Sequence, residues 1–91
     1  MGKLTSIKEL VSRGEVTKAI LLLDEMLAAG NAPLDEAYYL RGNAYRKQGN
    51  WQQALNNYQC AIDINPHSPA LQARLMVMNI LNFHNKEIYN P

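Results

Sequence analysis

Apolar side chains recur along this chain at three- and four-residue intervals, and the rhythm breaks only at glycine and proline: at Gly14, at Gly30 with Pro33, at Gly49, and at Pro66 with Pro69. No stretch alternates apolar and polar with a period of two, so the pattern predicts an all-α fold of five helices. The first runs from about Thr5 to Ser12, with Ser6 and Glu9 at capping-box spacing. The second runs from about Val16 to Ala29 with Ile20, Leu22, Leu23, Met26 and Leu27 as one stripe. Gly30 follows it, the residue type best able to take the left-handed conformation that ends a helix.

The third helix, about Asp35 to Gln48, follows Pro33 and has Asp35 and Glu36 near its start and Arg46 and Lys47 near its end. This is the order of charge that the helix dipole favours. The fourth, about Trp51 to Ile64, is opened by Asn50 and Gln53 at capping-box spacing and stops before Pro66, which pushes its predecessor away from helical dihedrals. The fifth starts at Ser68-Pro69, a cap residue followed by proline in its favoured first position, and runs to about Phe83.

Laid over itself at an offset of 35 residues, the chain repeats Gly14, Ala19 and Leu23 as Gly49, Ala54 and Tyr58. One helical hairpin therefore occurs twice. Its glycine permits the tight turn, its alanine lets the two helices approach, and the large residue four positions later fills the gap between them. The second copy reads Tyr38-x2-Arg41-Gly42-x2-Tyr45, then Ala54-x3-Tyr58, then Ala61 and Pro66. It resembles the tetratricopeptide repeat family, whose pattern is W-x2-L-G-x2-Y, A-x3-F and P. Arg41 stands where leucine is usual, a substitution that the aliphatic stem can support by covering apolar surface while the head reaches water. The resemblance is complete over 35–68 and partial over 3–34. It shrinks to a closing helix over 69–83, where Met76 and Asn79 take the places of the glycine and tyrosine.

The length fits a single domain, here 1–83, and the asparagine-dense end reads as a flexible C-terminal tail, 84–91; the resemblance implies a right-handed stack of antiparallel helical hairpins. It further implies a non-catalytic protein–protein interaction scaffold whose first helices line a concave groove for a peptide or helix. Carried over by register, the groove set is Glu36, Tyr39, Asn43 and Arg46 on the third helix and Ala73, Val77 and Ile80 on the fifth. Family members that grip a partner's C-terminal carboxylate use lysine, asparagine and arginine on these helices. Of that set Asn43 matches, whereas Tyr39 stands where lysine is expected, so Asn43 reads as a general polar groove residue.

The fifth helix is apolar almost all round, with Met76, Ile80, Phe83, Ala73, Val77 and Leu81 on one broad side and Leu71, Leu75 and Met78 nearly opposite. A terminal repeat element normally turns a polar face outward. Leu71, Met76, Met78, Ile80 and Phe83 are therefore candidates for an oligomer interface, and the alternative function is a self-assembling module that homodimerises through this helix. Ile88 and Tyr89 folding back over it would be the intramolecular cover.

Composition narrows the rest. The chain has 91 residues, nine basic against eight acidic side chains and a net charge of +1, with no run of one sign, which leaves no electrostatic footprint for nucleic acid. A lone Cys60 and an N-terminus without an apolar core fit a cytoplasmic protein. The longest wholly apolar run, Ala19 to Leu23, is far below the roughly 18 residues of a membrane span. Met1-Gly2 with Ser6 fits the short N-myristoylation pattern, which overlaps the Ser6 helix cap. His67, His84 and Cys60 lack metal-ligand spacing, and no nucleophile–base or carboxylate pair converges, so neither a cofactor, a metal nor catalysis is expected.

Overall fold

A computed structural model describes residues 2–30 and 33–84. Among the described residues all regular structure is helical, in five elements: α1 (Lys3–Ser12), α2 (Val16–Ala29), α3 (Leu34–Gln48), α4 (Trp51–Ile64) and α5 (Ala70–His84). Ile88 and Tyr89, the expected cover of α5, lie outside the described residues, and His84 is the last residue of α5 rather than the first of a tail.

The helix ends follow their local chemistry. The side chain of Asn50 accepts a hydrogen bond from the Gln53 N–H (3.3 Å), and Ser68 Oγ accepts one from the Ala70 N–H (3.0 Å). Gly14 and Gly49, the two hairpin-turn glycines, have φ of 87° and 83°, a region in which a side chain is strained. The Ser6–Glu9 cap does not form. Helix α1 begins earlier, at Lys3, with Gly2 as its N-cap and no side-chain hydrogen bond there. The longer helix brings Leu4 onto the face of Ile7, Leu10 and Val11 that packs into the core, and that burial outweighs the loss of a cap worth about 1 kcal/mol.

Helices α1 and α2 form one hairpin and α3 and α4 the next; α3 also packs against α1 and α2, and α5 against α4. The core is divided accordingly. Ile7, Leu10, Ala19, Leu23, Ala37 and Ala44 belong to one buried cluster, and Ala54, Tyr58, Ala61, Ala70 and Val77 to the other. Gly42 and Tyr58 set the spacing inside the second hairpin, because a Cβ on Gly42 would lie only 2.6 Å from two carbons of the Tyr58 ring.

Arg41 is only partly exposed, and its head does more than reach water. Its Nε lies 2.8 Å from Asp24 Oδ1 on α2, its Nη1 lies 3.0 Å from Asn57 Oδ1 on α4, and its guanidinium sits 5.5 Å from the centre of the Tyr45 ring. Asn57 is itself buried and donates through Nδ2 to the Gln53 carbonyl (2.8 Å). A planar fork of donors can serve two acceptors on different helices at once. Arg41 thus ties α2, α3 and α4 together at a position where leucine would only fill space.

Candidate interaction groove

The two hairpins stand in register. Subtracting 35 from Tyr39, Leu40, Asn43, Arg46 and Lys47 gives Leu4, Thr5, Lys8, Val11 and Ser12, and these two sets face each other across a groove between α1 and α3. The groove consists of two adjoining depressions that share Lys8 and Leu40. One, of about 490 Å³, includes Asp35, Glu36 and Tyr39 and is closed off by Asn65 and Pro69. The other, of about 310 Å³, includes Asn43, Arg46 and Lys47 opposite Val11 and Ser12.

Helix periodicity places Glu36, Leu40, Asn43 and Lys47 along one line of α3, with Tyr39 and Arg46 beside it. Tyr39 is half-buried, its ring 6.1 Å from that of Tyr58 at an interplanar angle of 39°. Asn43 accepts a hydrogen bond at Oδ1 from the Tyr58 hydroxyl (2.5 Å), which fixes the amide with its oxygen inward and leaves its NH2 as the group to present. Burial pushes the Tyr58 phenol up to about 12, with the Arg46 charge pulling the other way and the Tyr39 phenol adding to the rise. Arg46 reaches across to Met76 on α5 (Nη1 to Sδ, 3.7 Å), and Lys47 Nζ donates to the Ser12 carbonyl at the end of α1 (3.3 Å). Asp35 Oδ2 accepts from Asn65 Nδ2 (3.0 Å), which joins the start of α3 to the end of α4.

Of the residues assigned to the groove by register, the structure brings together Glu36, Tyr39, Asn43 and Arg46. The α5 set is corrected. Val77 is fully buried in the second core cluster and Ala73 packs against that cluster, so neither faces a groove. Ile80 is half-buried. The cause is a shorter step between repeats: Ala70, Ala73 and Val77 on the packed face stand 33 residues after Ala37, Leu40 and Ala44. One residue short of a 34-residue repeat turns a helix by about 100°. The same offset puts Pro69 and Met76 at the positions of Glu36 and Asn43; Pro69 lines the first depression and Met76 lies against Arg46.

The offset also explains the exposed apolar side of α5. Leu71, Leu75 and Met78, which are 41%, 50% and 37% exposed, correspond to Tyr38, Gly42 and Tyr45, the line of α3 that packs on α4. Met76 and Phe83 are also exposed, Met76 on the groove side. Lys8, Lys47, Leu4, Val11 and Ser12 also line the groove, and the 35-residue offset from Tyr39, Asn43 and Arg46 leads to Leu4, Lys8 and Val11. Cys60 is exposed on α4, and among the described residues no group of histidine, cysteine, aspartate or glutamate could hold a metal ion. No helix among them is long and apolar enough to cross a membrane.

Stacked antiparallel hairpins with a groove lined by their first helices define a helical-repeat protein. Residues 35–68 match the family model of the tetratricopeptide repeat, and the chain belongs to that family. Its fold is similar to the solution NMR structure of Bacteroides fragilis protein BF1650, at 60% sequence identity over 99% of this chain and 91% of that one, with a TM-score of 0.87. Among curated proteins none matches. Tetratricopeptide repeats are in general scaffolds for protein–protein interaction.

Proposed function

We propose that this protein is a non-catalytic adaptor that holds an extended peptide segment of a partner protein in the groove between α1 and α3. The observation that carries this reading is the pair of adjoining depressions along α3, lined from both hairpins at equivalent register and edged by outward-facing polar groups. Lys8, Arg46, Lys47 and the Asn43 NH2 supply donors, and Tyr39 and Leu40 supply apolar contact. No covalent chemistry is needed for this role.

Selection of a displayed peptide library on the immobilised protein tests the proposal. Selected peptides should lose binding on Lys8→Ala or Arg46→Ala, with the melting temperature within a few degrees of the parent. Asn43→Ala is a poorer probe, since it leaves the buried Tyr58 hydroxyl without its acceptor. Peptides indifferent to Lys8 and Arg46 would refute the groove.

A second reading, self-assembly through α5, is favoured by one observation: Leu71, Leu75 and Met78 are exposed at the register that α3 buries under its hairpin partner. Sedimentation over a range of concentrations should then show a dimer that Leu75→Glu abolishes. A monomer throughout would exclude it.

A further inference from the structure

The groove is electrically polar along its length. Asp35 and Glu36 lie in the depression at the start of α3, whereas Arg46 and Lys47 lie in the depression at its end, with Lys8 of α1 where the two meet. From Glu36 to Arg46 is ten residues of helix, a separation along the axis of about 15 Å at 1.5 Å per residue. An extended chain rises roughly 3.3 Å per residue, so four to five residues span that distance. Between the charged ends the contact is with Tyr39, Leu40 and the Asn43 amide, which is apolar with one polar tooth.

Resting on the groove reading above, we propose that the occupant is an amphoteric segment. It carries a cationic side chain at one end, set against Asp35 and Glu36, and a carboxylate four to five residues away, set against Lys8, Arg46 and Lys47, with small apolar residues between. Charge alternation in a partner, rather than net charge, is then what the groove recognises. Like-charged segments place one end against its own sign whichever way round they lie, and like-charge juxtaposition works against binding. The charges of α3 also follow its dipole. That alone would account for Asp35, Glu36, Arg46 and Lys47 but not for Lys8, which belongs to another helix and lines both depressions of the same groove.

Capped hexapeptides with an Ala/Leu interior test this by two-dimensional NMR titration of the whole chain at millimolar concentration. The termini carry Lys and Glu in both orders, Lys and Lys, or Glu and Glu; a further peptide has Lys and Glu adjacent. One Lys–Glu order should bind about fivefold or more tighter than the like-charged and adjacent-charge peptides, with shifts at Tyr39, Asn43 and Lys47. A version with a free C-terminal carboxylate in place of Glu shows which kind of carboxylate fits better. Glu36→Lys should narrow the gap between the Lys–Glu and Glu–Glu peptides, and Lys47→Glu the gap between the Lys–Glu and Lys–Lys peptides; both side chains are exposed. The preference should vanish in 1 M salt, where screening is nearly complete beyond about 3 Å. Groove shifts of equal size for all peptides would overturn the charge proposal and leave the groove standing. Absence of groove shifts with every peptide would overturn both.

Discussion

The two hairpins solve the same packing problem with opposite partitions of volume. In the second, Gly42 and Tyr58 meet, nothing against a full aromatic ring. In the first, 35 residues earlier, the equivalent positions hold Ile7 and Leu23, two aliphatic residues of comparable size, both buried in one cluster. The number of side-chain heavy atoms is the same in both pairs while its division between the helices changes, so each crossing is filled from a different side. The chemical difference reaches the surface. A buried tyrosine brings a hydroxyl that needs a partner, and Asn43 supplies it from the groove. The aliphatic pair makes no such demand, so the corresponding position in the first hairpin is free to be Lys8.

Substitutions can break this contrast, and the largest effect is expected for the ring itself. Tyr58→Ala should lose about 4 kcal/mol in urea unfolding, against about 3 kcal/mol for Leu23→Ala, since a larger cavity is left. Gly42→Ala should cost about 2 kcal/mol, because its Cβ meets the Tyr58 ring at 2.6 Å. The double variant Gly42→Ala with Tyr58→Leu moves the second hairpin toward the composition of the first and should be less destabilised than the two single losses added together.

Arg41→Leu restores the residue usual in the family and should still destabilise, by about 1 kcal/mol. It removes the link to Asp24 and strands the buried Asn57 oxygen. Unfolding midpoints of Arg41→Leu and of Arg41→Leu with Asn57→Leu separate the two causes, since the second variant removes the stranded oxygen too.

Tyr58→Phe should cost least near neutral pH, about 1 kcal/mol for the hydrogen bond to Asn43. Its distinctive signature lies in alkali. Tyr58 ionises near 10 in the unfolded chain and about 12 in the fold, so the folded state holds the proton more tightly between those values. The stability it contributes is whole below pH 10 and is lost as pH rises through 12. Unfolding midpoints followed from pH 9 to 12 should fall more steeply for the parent than for Tyr58→Phe.

Helix existence and most caps were legible because they rest on local chemistry: Asn50 and Ser68 cap where the sequence places them, and Gly14 and Gly49 turn where helical periodicity breaks. Half of the groove was legible through register on α3. What escaped was what depends on how helices are rotated and brought together. Val77 and Ala73 were assigned to the groove on a 34-residue spacing, but the turn into α5 advances 33, and no local signal reports that rotation. Ser6 fits a capping pattern, yet burial elsewhere in α1 starts the helix before it. Arg41 finds its partners 17 residues back and 16 forward, a coincidence only the fold creates.

The exposed line of α5 has a steric corollary. Where α3 offers Gly42 and so admits Tyr58 to the heart of the crossing, α5 offers Leu75. A helix built like α4 could not nest against it at the same distance. Two α5 helices crossing at this point would each contribute leucine, holding their axes toward the wide end of the usual 8–10 Å. A foreign helix would come closer only by bringing glycine or alanine to the crossing. Any helix docking on this surface would therefore be selected by the smallness of one residue, and a second helix built like α4 would be turned away.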